Sequence, residues 1–377
     1  MDFNLTEERA MLQDMLQRVL AETYDHEARR KLLAEGKPYD AEVMAKLAEL
    51  GVLGALFPEE VGGFGGAGFD LSVVFEELGR AGTIEPILGN AVLAGGLVAA
   101  LGSEDQKAML NEVIAGQAIL AFAHSEPTAR YDLNQISTKA VAEGDKIVLT
   151  GTKAHVLNGA EANMLVVSAR EAGEDHDQDG ISLFVVPADA EGVMITGRLN
   201  IDGTAAAMIQ LEGVVLDTSA RLGEPGKAYD AIETAVARAI LAVCAEALGA
   251  MEAAKDLTIN YLKERKQFGV AIGKFQALQH RMADLLIEVE QARSAVVNLA
   301  GNINAPRDQR ERYVSAAKNL VGRAGALVAE ETIQMHGGIG MTDEYALSHF
   351  ARRLVMIDHL FGDVDHHLER FIALNAA

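Results

Sequence analysis

Two segments in the second half of the chain carry residue types suited to a large, planar, phosphorylated ligand. Residues 264–269 read Glu-Arg-Lys-Gln-Phe-Gly, and residues 334–342 read Gln-Met-His-Gly-Gly-Ile-Gly-Met-Thr. Arg265 is a permanent cation that can bind a pyrophosphate through several donors, and the ring of Phe268 could lie against a purine or a ribose. Spacing alone favours a structural interpretation, in which Arg265 is a helix-end arginine and Phe268 a core phenylalanine. The two segments therefore have two interpretations, a cofactor site or purely structural residues.

Composition limits the class of protein that must position these residues. The 377 residues are 49% hydrophobic, and the formal net charge is −22. A chain of this kind can bury a sizeable core in two or three domains, and it repels nucleic acid and acidic membranes. Cys244 is the single cysteine and no signal pattern opens the chain, so we expect a cytoplasmic protein without a disulfide framework. The apolar stretch 91–101 is shorter than the roughly 20 residues that cross a bilayer.

The first part of the chain, residues 1–118, predicts a helical domain. Apolar residues recur at helical spacing in 12–19 and in 71–78, with a potential cap at Asp70, and 103–106 has the form of a capping box. The glycine-rich stretch 61–68 is similar in composition to a nucleotide-binding loop. It lacks the preceding buried strand and the ribose-binding acid of that fingerprint, which favours a surface loop.

The middle of the chain, residues 119–222, changes to a period of two. Strand-like runs separated by turn residues predict a mainly antiparallel β domain, and these runs are 119–123, 146–150, 164–168, 181–186 and 208–212. From residue 223 to 377 the pattern returns to long helices, with apolar stripes through 241–262, 278–297 and 314–335. Helices, then strands, then helices indicate an α+β fold, not alternating βαβ units.

The two cofactor-like segments, in this order, resemble those of the acyl-CoA dehydrogenase family, where they hold FAD across a subunit interface. The resemblance extends from Met1-Asp2-Phe3 to the last helix. More narrowly, residues 360–367 (Leu-Phe-Gly-Asp-Val-Asp-His-His) are similar to the small subunit of pimeloyl-CoA-type dehydrogenases. The resemblance implies a helical amino-terminal domain, a middle β domain and a carboxy-terminal four-helix domain.

The implied reaction is FAD-dependent α,β-desaturation of an acyl-CoA thioester, whose acyl group could be dicarboxylyl, ring-derived or steroid-derived. Electrons would pass to an electron-transfer flavoprotein. The implied assembly is a homo-oligomer (dimer or tetramer) or an α₂β₂ heterotetramer with a larger subunit. Two rivals remain open: a non-catalytic subunit that completes a partner's FAD site, and an oxidase that passes electrons to O₂.

The resemblance also assigns cofactor contacts to individual residues. Arg265 would contact the FAD pyrophosphate, and the glycines after Gln334 would let the backbone approach it from the partner subunit. The residues implied for the adenosine half are Gln267, Phe268, Ile272, Phe275 and Gln276, and those implied for the partner-side contact are Gln334, Gly337 and Gly338.

The β domain is expected to hold the flavin ring, with two departures from the family pattern. The segment 122–127 contains Phe122, His124 and Ser125, and Ser125 keeps the hydroxyl of the family's Thr-Glu-Pro motif. In 128–132 only the aspartate matches the family's CoA-placing Gly-Ala-Gly-Ser-Asp. His155 and Leu157 replace a Trp and a Thr that touch the flavin, so the loss of the Thr hydroxyl removes a hydrogen bond near flavin N5.

The catalytic base is the main departure. Desaturation requires a carboxylate that removes the α-proton, and such a base works best desolvated with a raised pKa. The family's usual glutamate position falls on Phe361, and its second location falls on Ala239. Asp363, two residues further on, and Glu246, in an apolar helical setting, are the two candidates in this chain. The alternatives are a solvated loop Asp363, a structural Glu246, and no base in the chain.

The cluster of Asp363, Asp365, His366 and His367 invites a metal interpretation. Adjacent side chains on a helix point about 100 degrees apart, so the two histidines rarely bind one ion, and we expect no metal.

Overall fold

The computed structural model describes residues 5–376, so the Met1-Asp2-Phe3 part of the resemblance lies outside the described residues. Along the chain, helices come first, then strands, then helices again, as the sequence predicts. The amino-terminal helices are α1 (Glu7–Thr23), α2 (His26–Ala34), α3 (Ala41–Glu49), α4 (Gly68–Ala81), a π-helix (Leu88–Gly95), α5 (Gly96–Leu101), α6 (Glu104–Lys107) and α7 (Leu110–Ile114).

The middle strands are β1 (Leu120–Ala123), β2 (Lys139–Glu143), β3 (Lys146–Leu157), β4 (Met164–Arg170), β5 (Ile181–Pro187), β6 (Val193–Leu199), β7 (Ala205–Asp217) and β8 (Arg221–Leu222). After them follow α8 (Tyr229–Glu264), the short strands β9 (Lys266–Gln267) and β10 (Val270–Ala271), α9 (Gln276–Asn302), α10 (Arg307–His336), α11 (Leu347–Asp358) and α12 (Val364–Ala376).

By its internal contacts the chain forms two compact units. Unit 1 comprises Met1–Ala34, Ala67–Thr83 and Ile240–Ala377, and unit 2 comprises Glu35–Gly66 and Ile84–Ala239. Each unit therefore combines segments from distant parts of the sequence, and α8 contributes to both.

Unit 1 is a helical assembly in which glycines allow close helix packing. A Cβ atom at Gly79 of α4 would lie 2.0 Å from the carbonyl oxygen of Glu246, and one at Gly249 of α8 would lie 1.9 Å from that of Glu76. Side chains larger than a hydrogen atom would force the two helices apart. Arg293 of α9 then joins both, with ion pairs of 3.0 Å to Glu76 and 2.8 Å to Glu252.

Unit 2 is built on a sheet with the order β6-β7-β3-β2-β4-β5-β8, with β1 paired to β4. Most pairs are antiparallel as predicted, but β1 and β2 both run parallel to β4. The inward-facing residues of the sheet, such as Ile147, Leu149, Val167 and Phe184, form its core. The sheet is joined to the π-helix through Asn90, whose Oδ1 accepts from the backbone N–H of Leu120 at 2.9 Å.

The starts of α6 and α4 were both predicted from potential capping residues. The capping box at 103–106 is confirmed, because Ser103 and Gln106 exchange side-chain-to-backbone hydrogen bonds at the start of α6. The cap at Asp70 is wrong in position: α4 begins two residues earlier, and Asp70 Oδ2 accepts from the backbone N–H of Ala67 at 2.9 Å. The other oxygen of Asp70 pairs with Arg9. Asp70 therefore lies inside the first turn of α4, where its negative charge still stabilises the start of the helix.

Helix α8 is the one described helix long and apolar enough to cross a membrane, and 89% of its apolar window is buried. This is the burial expected of a core helix.

Candidate active site

The segment 264–269 forms the end of α8 and an exposed hairpin. Gln267 pairs with Val270 across a two-residue turn, and the turn residues Phe268 and Gly269 both have positive φ, 54° and 80°. Two consecutive positive-φ residues are typical of the tight turns that join antiparallel strands. The Phe268 side chain is 91% exposed and meets Phe275 edge to face, with ring centroids 6.2 Å apart. The hairpin thus leaves the aromatic ring of Phe268 exposed, which suits contact with a planar ligand or a second subunit.

The other predicted residues of this region are also accessible. Arg265 and Gln267 are exposed, Ile272 is half-buried in a 3₁₀ turn, and Gln276 is exposed at the first position of α9. A ligand can therefore approach these residues without displacing a tightly bound group of the described chain.

The segment 334–342 ends α10 and leaves its backbone open. Gln334, Gly337 and Gly338 are exposed, and a Cβ atom at either glycine would meet nothing within 4 Å. His336 is buried between them and stacks on Tyr261 of α8 with a centroid separation of 4.4 Å. Because Tyr261 is one helical turn before Arg265, the structure brings the two cofactor-like segments together within unit 1 of a single chain.

In unit 2, the end of β1 carries the residues predicted at the flavin ring. His124 is buried, stacks on Phe122 with centroids 5.0 Å apart, and is joined through Nδ1 to Ser168 Oγ at 3.0 Å. Burial and the nearby Lys153 ammonium lower the pKa of His124 to about 3, so its imidazole is neutral at physiological pH. Ser125 is exposed, and its carbonyl accepts from Ala154 N.

A buried ion pair fixes this end of β1 against β3. Lys153 Nζ lies 2.7 Å from Glu126 Oε1 and also donates to the carbonyl of His124 at 3.1 Å. Burial raises the pKa of Glu126, but the Lys153 charge and donors from Ser137 and Thr138 outweigh it and hold that pKa at about 2. The loop that carries Ser125 is therefore anchored on both sides.

On β3, His155 and Leu157 occupy the positions predicted at the flavin. His155 is exposed with φ 53°, and Asn158 just after the strand has φ 52°. The register of β3 with β7 shifts between Lys153 and Val156, so His155 falls in an irregular part of the ladder. Such irregularities redirect side chains out of the regular alternation.

The loop at the family's base position is held by two buried side chains, Lys318 and His367. Lys318 of α10 is fully buried, and its Nζ donates to the carbonyl oxygens of Asp358 at 2.8 Å and Gly362 at 2.7 Å. His367 Nε2 lies 3.0 Å from the carbonyl oxygen of Phe361. Phe361 and Gly362 have φ of 59° and 113°, a backbone that needs such support.

Both carboxylates predicted as candidate bases have partners in the structure. Asp363 Oδ1 accepts from the backbone N–H of His366 at 2.9 Å and so caps α12. Glu246 forms a two-point ion pair with Arg353 of α11, at 2.6 Å to Nε and 2.8 Å to Nη2. The structure does not bring these two residues into one cluster of described contacts.

Comparison with known proteins identifies the class. Models of the three acyl-CoA dehydrogenase domains match the chain: the N-terminal domain over residues 6–117, the middle domain over 121–214 and the C-terminal domain over 229–371. The chain belongs to the acyl-CoA dehydrogenase family, whose enzymes are oxidoreductases acting on CH–CH groups, and it has the three-domain fold of that family.

Individual relatives span the whole chain. The probable acyl-CoA dehydrogenase YngJ of Bacillus subtilis is 30% identical and covers 99% of this chain and 98% of its own length. Among solved structures, butyryl-CoA dehydrogenase from Megasphaera elsdenii aligns with a TM-score of 0.92 at 26% identity, over 100% of both chains. The ChsE4-ChsE5 complex from Mycobacterium tuberculosis aligns with a TM-score of 0.90 at 26% identity, over 100% of this chain and 99% of that one.

Family members bind FAD, and the residues present here fit that cofactor. The fit rests on the uncovered ring of Phe268, the accessible Arg265 guanidinium and the open backbone at Gly337, which together offer an aromatic face, a cation and close approach for a phosphate.

Sequence reasoning missed the residues that hold the site in place. Neither Lys153 nor Lys318 has a sequence signal for burial, because lysine is usually a surface residue, yet both are fully buried. Arg353 had a detectable signal: Glu246 lies in an apolar helix, and a buried carboxylate needs a cationic partner somewhere in the chain.

Proposed function

We propose that this chain binds FAD and acts as one subunit of a hetero-oligomeric acyl-CoA dehydrogenase that introduces an α,β double bond into an acyl-CoA thioester. The observation that carries the proposal is the uncovered surface formed by Arg265, Phe268 and Gly337, combined with a base position occupied by Phe361. The first feature supports cofactor binding. The second supports a partner that completes the chemistry.

The proposed roles follow the accessible groups. Arg265 holds the pyrophosphate; Gln267, Phe268 and Phe275 bind the adenosine half, with Gln334 and Gly338 at the adjoining backbone. Ser125, His155 and Leu157 border the flavin ring, and the Glu126–Lys153 pair keeps that edge fixed. When bound, FAD would accept the hydride that leaves Cβ of the thioester. The resemblance implies that Gln334 reaches the cofactor from the partner subunit, whereas the Arg265 and Gln334 segments lie together in one unit of this chain. We therefore propose that the two segments of one chain form one composite surface for a single cofactor.

We further propose that the α-proton is removed by a carboxylate of the partner subunit. Glu246 would have to leave a two-point ion pair with Arg353 to act as a base, and Asp363 would have to leave the α12 cap. The loop that carries Asp363 is also tied by Lys318, which opposes a swing of the backbone. These contacts favour the supporting-subunit role over a base within this chain.

The narrower likeness of 360–367 to the pimeloyl-CoA-type small subunit supports the same assignment. We propose an acyl group that is dicarboxylyl, ring-derived or steroid-derived, an electron-transfer flavoprotein as acceptor, and a cytoplasmic location.

Single-turnover flavin reduction by an acyl-CoA, measured in the active complex, tests where the base resides. We expect Asp363→Asn and Glu246→Gln each to keep the rate within tenfold of the wild type. Loss of a placed base costs about 10²–10⁴ in rate, so a fall of that size at unchanged FAD content would assign the base to this chain. Asp365→Asn, an exposed neighbour in α12, is the matched control for Asp363.

A stability measurement separates the structural role of Glu246. Breaking a buried ion pair by removing one partner costs about 3–5 kcal/mol, so Glu246→Gln should lower the melting temperature clearly. An unchanged melting temperature would contradict the structural interpretation of the pair with Arg353.

A further inference from the structure

A cavity of about 670 Å³ lies entirely within unit 1 and contains none of the residues assigned to the cofactor. It is bordered by the carboxy-terminal ends of α1 and α4, the start of α2, the second half of α8 and the first half of α11. Its volume is within the 300–1,000 Å³ typical of small-molecule sites.

Three arginines from three different helices line this cavity: Arg29 of α2, Arg80 of α4 and Arg353 of α11. The acidic residues in its wall are Glu77 and Asp256. Arg353 is paired with Glu246, and Arg80 Nη2 lies 3.5 Å from Glu76 Oε1, so the three guanidinium groups give no excess of positive charge here. An anionic ligand in this acidic chain therefore needs a guanidinium donor that no carboxylate has already taken.

The guanidinium groups are held in place before any ligand binds. Arg29 Nε donates to the carbonyl oxygen of Gly82 at 2.7 Å, and its Nη1 lies 2.5 Å from His349 Nδ1. Burial and the neighbouring arginines lower the pKa of His349 to about 4, so this imidazole adds no charge at neutral pH. Arg353 is fixed by its two bonds to Glu246. Little side-chain entropy is then lost when an anion binds.

Arg80 supplies a donor with no acceptor. Its Nε is buried and makes no hydrogen bond with any described residue. Glu77 Oε2 lies 3.4 Å from that nitrogen without hydrogen-bond geometry, and Arg80 Nη2 donates to Glu76 Oε1 at 3.5 Å. Oε1 of the same glutamate already accepts from Gln13 and Gln17. A buried donor without an acceptor is costly, and a bound anion is one way to satisfy it.

The cavity is also lined by apolar side chains. Leu20 and Tyr24 of the α1 end, Leu257 of α8 and Phe350 of α11 contribute aliphatic and aromatic surface. A ligand matched to the cavity therefore combines one anionic group with an apolar body.

We propose that this cavity is a binding site for a small organic monocarboxylate, whose carboxylate is bound by Arg80 and whose apolar body lies against Tyr24 and Phe350. The site shares no residue with the proposed cofactor surface. A negative result for this site would therefore leave the dehydrogenase assignment unchanged, and the reverse also holds.

Calorimetric titration of the purified native assembly tests the ligand class. The probes are 3-phenylpropanoate, 3-phenylpropan-1-ol, which lacks the charge, and inorganic phosphate, which lacks the apolar body. We expect 3-phenylpropanoate to bind with a Kd of about 0.01–1 mM, as usual for a ligand of this size, and the other two to bind at least tenfold more weakly. No detectable binding of 3-phenylpropanoate, or equal binding of the alcohol or of phosphate, overturns the proposal.

Two variants test the location. Arg80→Gln removes the charge and Nε, and should weaken 3-phenylpropanoate binding tenfold or more. Ala253→Phe fills part of the cavity without changing a charged residue. It should also weaken 3-phenylpropanoate binding, and it replaces Arg80→Gln as the test if that variant does not fold. Arg30→Gln is the charge-matched control, because Arg30 of α2 pairs with Glu27 outside this cavity. Unchanged affinity in folded Arg80→Gln and Ala253→Phe proteins refutes the site, and so does an equal loss in Arg30→Gln.

Discussion

Arg265 is the residue whose side-chain chemistry bears most directly on cofactor binding. It is exposed at the end of α8, directly before the hairpin that carries Phe268. An accessible guanidinium in a strongly acidic chain is suited to a pyrophosphate.

Replacing Arg265 by alanine should release the flavin. Loss of one charge-assisted contact costs about 1.5–3 kcal/mol, which is roughly a tenfold to more than hundredfold fall in affinity. Flavin absorbance after gel filtration measures the loss, with Arg18→Ala of α1 as the charge-matched control. Full flavin retention in Arg265→Ala would contradict the assignment.

Glu85 shows how burial of a single carboxyl sets a pH dependence. It is 9% exposed, one of its oxygens has no described hydrogen-bond partner, and burial raises its pKa to about 7. Below about pH 4.5 the carboxyl is protonated whether the chain is folded or unfolded, and no penalty arises. Between about pH 4.5 and 7 the unfolded state ionises first, so stability is lost across that window.

Glu85→Gln should therefore stabilise the protein at pH 8 by about 1–3 kcal/mol and change little at pH 4.5. Melting curves of the native assembly at the two pH values show directly whether Glu85→Gln stabilises or destabilises the protein. Glu112→Gln, at an exposed position of α7, is the control. A Glu85→Gln protein that is less stable at pH 8 than the wild type would show that the ionised carboxyl is stabilising.

At the scale of elements, the hairpin of β9 and β10 depends on its turn. Gly269 has φ 80°, and a Cβ atom there would meet nothing within 4 Å. A β-branched residue would therefore be opposed by backbone strain alone, without a steric clash.

Gly269→Val should distort the turn and displace Phe268, so flavin retention should fall several-fold while the melting temperature of the flavin-free protein changes little. Gly36→Val is a close match: Gly36 has φ 66°, is equally open, and lies in a turn of unit 2. Equal flavin retention in the two variants would mean that the hairpin does not contact the cofactor.

At the scale of the whole molecule, the uncovered surfaces predict an assembly. Ile339 and Met341 are 44% and 70% exposed beside Gly337, and Phe371 and Ile372 are exposed on α12. Exposed apolar side chains that adjoin in a patch commonly mark subunit contacts, and each of these two pairs is adjacent or nearly adjacent in the sequence.

We expect the flavin-loaded protein to be at least a dimer, with the longer homologous subunit as its native partner. Light scattering coupled to flavin absorbance measures mass and cofactor content in the same peak. A flavin-loaded monomer would overturn this expectation, and a homo-oligomer that turns over acyl-CoA alone would exclude the need for a second kind of subunit.

Much of the architecture could be predicted from periodicity, because each pattern depends on local spacing. The helical stripes of 12–19 and 71–78 lie in α1 and α4, and the runs at 146–150 and 208–212 lie in β3 and β7. Strands β2 and β6 were missed, since both are largely exposed and lack an apolar alternation. Their pairing comes from neighbouring strands and not from their own residues.

The sequence by itself determined the family, the helix–strand–helix order and the two cofactor-like segments, since these depend on residue types at short spacing. Only the tertiary structure decided which distant residues meet. Tyr261 stacks on His336 across 75 positions, Glu246 pairs with Arg353 across 107 positions, and Lys318 holds Gly362 across 44. Such pairs follow from how helices cross, and the crossing is set by the packing of many side chains at once, which no local pattern in the sequence records.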